Sequence, residues 1–156
     1  MKQAVVLLDN IRSTYNVGAI FRTADGAGVE KMVLVGYTPA PVDRFGRAEP
    51  KIAKTSLGAS ATVPWQAVTS YADALALLDN YTQDGYTIVA VEQGKDSVLL
   101  HDFTVPEKVI YIFGNEIDGV AAELLAVSDT VLELPMAGMK ESLNVSVTAG
   151  IVLYHR

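Results

Sequence analysis

Apolar residues in this chain come in short blocks between polar stretches, and the spacing within each block separates strands from helices. "AVVLL" (4–8) is a continuous run of strand length. After the polar "DNIRSTYN", apolar residues recur at 17, 20, 21, 24 and 27, which is helical spacing, with Gly26 or Gly28 available to end the helix. "KMVLVG" (31–36) returns to strand character. Strand, helix, strand in this order predicts a crossover between parallel strands covered on both faces. "ATVPW" (61–65), "TIVAVE" (87–92), "VIYIF" (109–113) and "TVLELP" (130–135) read as further strands. "SYADALALLDNYTQ" (70–83) reads as a helix with Ser70 and Asp73 spaced as a capping box, and "AAELLAV" as a short helix. The pattern predicts an α/β fold: a mostly parallel six-stranded sheet flanked by helices.

Three stretches break the rhythm. Residues 37–60 hold three prolines and little periodicity, and residues 93–108 also read as a loop. "SLNVSVTAG" (142–150) alternates apolar and polar residues as a half-buried strand does. Yet Ser142 is a good N-cap, and the apolar run continues through "GIVLYH" without a turn. Read as a final helix beginning at Ser142, it places Leu143, Val147, Ile151 and Tyr154 on one face, expected to pack inward.

Composition narrows the class. Of 156 residues, 50% are hydrophobic, enough for one domain, 1–156, with a substantial core; Trp65, Tyr111 and Phe113 read most simply as parts of it. Lys plus Arg number 12 against 18 Asp plus Glu, a net charge of -6, which disfavours indiscriminate adhesion to nucleic acid. Residues 37–60 are the exception. Arg44, Arg47, Lys51 and Lys54 stand against Asp43 and Glu49, so this segment is +2 and the rest of the chain -8. Cysteine is absent, which excludes disulfides and thiolate metal sites, and His101 and His155 lie far apart, so no metal centre is expected. No secretory leader and no membrane-length apolar run is visible, and the expectation is a cytoplasmic protein that does not engage a membrane.

Three polar stretches follow predicted strands: "NVGAIFR" (16–22), "GNEIDG" (114–119) and "MAGMKESLN" (136–144). Parallel sheets bind ligands beyond the carboxyl ends of their strands, so the three can converge on one site. Each has a structural explanation as well. Asn16 can cap a helix, Arg22 can lie on a helix surface, and "GNEIDG" can be a glycine turn. Ser142 and Asn144 can be a cap and a satisfied amide. Dinucleotide-binding and P-loop glycine fingerprints, the serine nucleophile elbow and any cysteine nucleophile are all missing.

Taken together and in order, "NVGAIFRTADGAG", "FGNEIDGV" and "LPMAGMKESLNVSVTAGIVLY" resemble the three motifs of the SpoU (TrmH-like) branch of the SPOUT RNA methyltransferases. The resemblance spans essentially the whole chain and is to the short members without an added RNA-binding domain. It departs at Ile117, where the family often has glycine. The resemblance implies a C-terminal segment threaded into a deep trefoil knot, which general topology rules would not suggest. It implies methyl transfer from S-adenosylmethionine to a ribose 2′-oxygen of tRNA or rRNA, by a homodimer with sites at the subunit interface. By match to the motifs, Asn16, Arg22, Glu116, Ser142 and Asn144 form the active constellation. The cofactor loops are Val91, Glu92 and Gly94; Phe113, Gly114, Asn115 and Glu116; and Leu134, Met136, Met139, Ser142 and Leu143. Met136 and Met139 are expected as soft apolar walls, and Gly114 as a point of close backbone approach to the cofactor. Arg44, Arg47, Lys51 and Lys54 are the candidate RNA contacts. Two alternatives are a non-catalytic RNA-binding or assembly factor of the same fold and an unknotted flavodoxin-like nucleotide-binding protein, the latter disfavoured by the missing phosphate loop. The RNA, the nucleotide and any helper protein are not named by the residues.

Overall fold

The computed structural model describes residues 2–155. Its strands are β1 (Gln3–Asp9), β2 (Lys31–Val35), β3 (Trp65–Val68), β4 (Thr87–Val91), β5 (Val98–Leu99), β6 (Lys108–Phe113) and β7 (Thr130–Glu133). Its helices are α1 (Thr14–Ala27), α2 (Pro50–Ser56), α3 (Ala59–Thr62), α4 (Tyr71–Gln83), α5 (Ala122–Ala126) and α6 (Val145–Tyr154). All seven strands form one sheet in the order β3-β2-β1-β6-β4-β7-β5, and every pairing is parallel. All carboxyl ends therefore lie along one edge.

The continuous apolar runs of the strands are explained by a sheet covered on both sides. Along β1, Val6 and Leu8 face a core completed by Val17, Ile20, Phe21 and Ala24 of α1, Ile52 of α2, and Ala149, Val152 and Leu153 of α6. Val5 and Leu7 face the other way, toward Ala74 and Leu78 of α4 and Leu124 of α5. The capping signals work as expected. Ser70 accepts the Asp73 amide at 3.1 Å and its hydroxyl meets the Asp73 carboxylate at 2.7 Å. Gly28 ends α1 at φ 72°, where a side chain would be strained.

Several expected boundaries shift. The sheet has seven strands, not six, because two residues of the 93–108 loop, Val98 and Leu99, pair with β7. So short an edge strand leaves no periodicity to detect. The 37–60 segment is not all loop: Pro50 opens α2 behind a Glu49 N-cap, a position where proline's missing N–H costs nothing. "ATVPW" is not a strand. Its first residues close α3, and pairing begins only at Trp65, because Pro64 cannot donate to a ladder. Trp65 is half-buried rather than fully enclosed.

The final segment is a helix, but it starts later than Ser142 and turns another face inward. Asn144 is the N-cap, its side chain accepting the Ser146 amide at 2.8 Å. Ala149, Val152 and Leu153 are buried, whereas Leu143, Val147, Ile151 and Tyr154 are 40%, 49%, 41% and 59% exposed. α6 is apolar nearly all round, so its pattern carries no phase.

α1 and α2 meet at Gly18. A β-carbon there would lie 1.9 Å from the Thr55 hydroxyl and 2.8 Å from the Ile52 carbonyl. Alanine is the better helix former by about 1 kcal/mol, but overpacking of this kind costs about 1–3 kcal/mol. Gly18→Ala is expected to lower the urea midpoint, and a raised midpoint would contradict the close approach.

Candidate functional site

Polar chemistry is concentrated at the carboxyl edge. Asp9, at the end of β1 and 1% exposed, accepts the Ala121 amide at 2.8 Å and the Tyr71 hydroxyl at 2.9 Å. Burial raises the Asp9 carboxyl above its ordinary value, against the pull of those two hydrogen bonds. The next residue, Asn10, adopts φ 50°, accepts the Tyr37 amide at 2.9 Å and donates to Tyr71 at 2.9 Å. Asn115, also buried, donates to the Asn10 carbonyl at 2.7 Å and to the Tyr37 hydroxyl at 2.8 Å. The loops after β1, β2 and β6 are thus tied side by side.

After β6 the chain makes a tight turn. Asn115 and Gly119 exchange backbone hydrogen bonds at 3.0 and 2.9 Å, and the Asn115 side chain accepts the amides of Ile117 (2.8 Å) and Asp118 (2.9 Å). Gly114 is required here, but by the chain itself. A β-carbon would lie 2.2 Å from the backbone of Gly119 and Val120, so the close approach expected toward a cofactor is made to the turn. Gly119 has φ 73° and faces Glu92, whose carboxylate accepts the amides of Val120 (3.0 Å) and Gln93 (2.8 Å). Ile117 has no left-handed backbone and is 73% exposed, so isoleucine fits where the family often has glycine.

Glu116 stands on this turn and reaches the start of α1. It accepts the amides of Arg12 (3.0 Å) and Ser13 (3.2 Å) and the side-chain amide of Asn16 (3.2 Å). Asn16 in turn accepts from the Asn144 side chain at 3.2 Å. The start of α1 is thereby joined to two segments 100 and 128 residues further along the chain, through three of the expected side chains. Burial acts to raise the Glu116 carboxyl, but the hydrogen bonds from Arg12, its own backbone, Ser13 and Asn16 outweigh it and hold it below its ordinary value.

Beside this brace lies a cleft of about 600 Å³, open at one side. Of the residues expected to hold a cofactor, it is lined by Val91, Glu92, Phe113, Gly114, Asn115, Glu116, Leu134, Met136, Ser142 and Leu143. Gly94 and Met139 are not in its lining, and Met139 is fully exposed rather than a wall. Gln93, Leu132, Val145 and Thr148 also line it and were not expected. Gln93 was legible only as a neighbour of Glu92; it donates to the Glu141 carbonyl and so ties two rims together. Ser142 is exposed and, although in the lining, has no hydrogen bond to Arg22 or Asn144.

Arg22 lies elsewhere. It borders a second, more open cleft with Ala19, Thr23, Lys54, Thr55, Leu57, Ser146, Val147 and Tyr154. The first turn of α6 separates the two spaces: Asn144, Val145 and Thr148 face the first, Ser146 and Val147 the second. Ser146 is a site residue that sequence reasoning passed over; its hydroxyl donates to Asn144 at 2.6 Å. The four expected RNA contacts also divide. Arg44 and Arg47 sit on a hairpin before α2, whereas Lys51 and Lys54 belong to α2 itself, Lys51 lying 5.8 Å from the Tyr15 ring centre.

Residues 3–154 match the model of the SpoU rRNA Methylase family. The chain is 35% identical over 149 residues to the 23S rRNA (guanosine-2′-O-)-methyltransferase RlmB of Neisseria meningitidis, covering 96% of this chain and 56% of that protein. It is 32% identical over 154 residues to the tRNA (guanosine(18)-2′-O)-methyltransferase of Aquifex aeolicus, covering 98% of this chain and 68% of that protein. The chain thus spans a little over half to two thirds of the length of these relatives. An AdoMet-bound rRNA methyltransferase from Sinorhizobium meliloti superposes with a TM-score of 0.85 at 26% identity, over 99% of this chain and 56% of that one. Among the described residues no helix is long and apolar enough to cross a membrane.

The depressed Glu116 value has a consequence with a definite sign. Stability from a carboxylate held below its unfolded value is present above that unfolded value and is lost as pH falls through the folded one. Carbon-detected NMR of the carboxyl is expected to show Glu116 titrating below an ordinary glutamate, and Glu116→Gln should flatten the acid limb of the stability curve. An ordinary titration would refute the brace.

Proposed function

The chain belongs to the SpoU rRNA Methylase family, and from that premise we propose that it is an RNA methyltransferase. It would move a methyl group from S-adenosylmethionine to a ribose 2′-oxygen of tRNA or rRNA. One observation carries the reading: the hydrogen-bonded chain Glu116–Asn16–Asn144 at the mouth of the cleft unites side chains of all three motif segments.

The cleft fits such a donor. Its volume lies within the roughly 300–1,000 Å³ of small-molecule sites, and Val91, Phe113, Leu132, Leu134 and Met136 offer apolar surface for an adenosine. Residues 136–143 make no backbone–backbone hydrogen bonds among the described residues, and apart from the Glu141 carbonyl, which accepts from Gln93, their backbone groups can serve the edge of a purine. S-adenosylmethionine, when bound, supplies an electrophilic methyl group on a cationic sulfonium. The chain's own task is to hold the ribose hydroxyl in line, its proton passing to water as the oxygen takes the methyl group. Positioning of this kind contributes up to roughly 7–11 kcal/mol, against roughly 10²–10⁴-fold from general-base help, so geometry dominates. An arginine stays protonated and is a poor base. Arg22 therefore binds the phosphate next to the target ribose and orients the hydroxyl. Glu116, Asn16 and Asn144 fix the frame around it, and Ser142 reaches the ribose from the cleft rim.

The reading includes a homodimer. Arg22 borders a different cleft from the cofactor residues, and a row of exposed apolar residues, Val147, Ile151, Tyr154 and Leu57, runs beside it. Packing this row against a second copy would bring Arg22 of one subunit to the cofactor cleft of the other. The reading also includes one methyltransferase domain over 1–156 and the knot. β7 lies three places from β1 in the sheet, yet α6 after it packs against α1, so residues 134–144 must carry the chain back across two strands. RNA contacts are assigned to Arg44, Arg47, Lys51 and Lys54, and the compartment to the cytoplasm.

Arg22→Ala is expected to lower single-turnover methyl transfer to unmodified cellular RNA by roughly 10²-fold or more, while calorimetry finds donor affinity nearly unchanged. Retained transfer would defeat the role of Arg22, and a wild-type protein inert on every RNA would defeat the enzyme reading. Ile151→Asp should turn a dimer into a monomer in sedimentation, with transfer lost alongside; an unchanged sedimentation coefficient would remove α6 from the interface.

A further inference from the structure

Between Pro41 and Glu49 the chain folds into a small hairpin. The Glu49 amide donates to the Pro41 carbonyl at 2.9 Å, Val42 and Ala48 form an antiparallel bridge, and Gly46 turns at φ 76°. Asp43 ties the tip from within. One of its oxygens accepts the amides of Phe45 (2.8 Å) and Arg47 (3.0 Å), and the other meets the Arg47 guanidinium at 2.7 Å. The hairpin is closed by its own bonds, yet its tip displays Phe45, 66% exposed and part of neither core. The guanidinium carbons of Arg44 and Arg47 lie 4.7 and 5.1 Å from the centre of the ring, within cation–π range.

The two arginines are not equivalent. Arg47 is paired with Asp43, whereas Arg44 has no acidic partner among the described residues. Arg44 is thus free to leave the ring, and Arg47 is held beside it. The hairpin follows β2, so it rises from the same carboxyl edge as the cofactor cleft, and the loop that leads to it is tied to the turn after β6 through Tyr37 and Asn115. It also lies in a segment, 37–60, that carries a net charge of +2 in a chain of net charge -6.

We propose that Phe45 is a stacking platform for an unpaired nucleobase of the RNA substrate, with Arg44 passing from the ring to an adjoining phosphate. The inference rests on the reading that the chain acts on RNA, and it adds that the target lies in a loop, bulge or single strand. Stacking on a phenyl ring tolerates any base, because each has a π face, but requires a face not already covered by neighbours. In an A-form duplex every face is covered, and recognition there falls to backbone contacts. An exposed ring on a stiff turn therefore discriminates by strandedness rather than by sequence. A cation released from the ring by the arriving base supplies the charge for the phosphate.

The test compares a stem–loop RNA with a blunt duplex of the same composition, by fluorescence anisotropy over a range of salt. Phe45→Ala is expected to weaken stem–loop binding roughly 5- to 150-fold, with duplex binding and the salt slope unchanged. Phe45→Trp should keep the affinity and show quenching with the stem–loop alone. Arg44→Gln should reduce the salt slope by about one phosphate contact, and Arg47→Gln by less. Stem–loop affinity that survives Phe45→Ala overturns the proposal, as does an equal loss on the duplex. A change of sedimentation coefficient in Phe45→Ala, without a change in RNA affinity, would instead place the ring between copies of the chain and overturn it too. A wild-type protein that methylates RNA as well as Phe45→Ala does sinks the stacking platform alone, while a wild type that neither binds nor methylates RNA sinks the broader reading.

Discussion

The site depends on one carboxylate pinned to backbone amides. Glu116 sits on the turn after β6 and accepts the Arg12 and Ser13 N–H groups just ahead of α1. Those amides are available because Ser13 is the N-cap of α1, so its own N–H and that of Arg12 precede the helical ladder. The same cap directs its hydroxyl to the Asn16 amide and sets Asn16 one turn in, where its side chain meets both Glu116 and Asn144. A local helix start thus becomes the junction of three distant loops. This arrangement requires a parallel sheet, since only then do the loops after β1, β6 and β7 leave from one edge.

Beneath that junction the turn has almost no freedom. Gly114 is crossed by the backbone of Gly119 and Val120, Asn115 satisfies two amides of its own turn, and Glu92 closes it against β4. Side chains that sequence logic assigns to ligand binding are here engaged in holding backbone. The two tasks are compatible. A pre-formed cleft needs rigid rims, and each hydrogen bond made within the protein is one the ligand does not have to organise.

How much of this was legible follows from range. Strands β1, β2, β4, β6 and β7 and helices α1, α4 and α5 carry periodic or continuous apolar runs and caps, and these signals are local. β5 is two residues long, α2 and α3 are short helices among prolines, and β3 begins only past Pro64; none offers a window in which a period can be recognised. In the site, the motifs named Asn16, Glu116 and Asn144, and Glu116 was expected to anchor through backbone or arginine contacts, but the Glu116–Asn16 and Asn16–Asn144 pairs were not foreseen, because partners at separations of 100 and 128 residues leave no mark on spacing. Ser146 and Gln93 were missed since both sit in runs whose neighbours drew attention. Met139 was included because it is methionine in the right loop, and only the path of the backbone shows it pointing to solvent.

The last helix shows where a single chain ceases to explain its own residues. Ala149, Val152 and Leu153 account for the apolar character of one side of α6, through burial against α1 and the sheet. Val147, Ile151 and Tyr154 on the other sides have no such explanation within the chain, and Arg22 beside them has no acidic partner among the described residues. Burying a large aliphatic side chain is worth about 1.5–3 kcal/mol, so a row of them left in water is a standing drive toward association. On the proposed reading the same association brings the cation to the neighbouring cleft. On that same reading the apolar row and the arginine have one cause: each half-site would lack what the other copy's helix face supplies, and two different surfaces would both call for apolar residues on a helix whose sequence carries no phase.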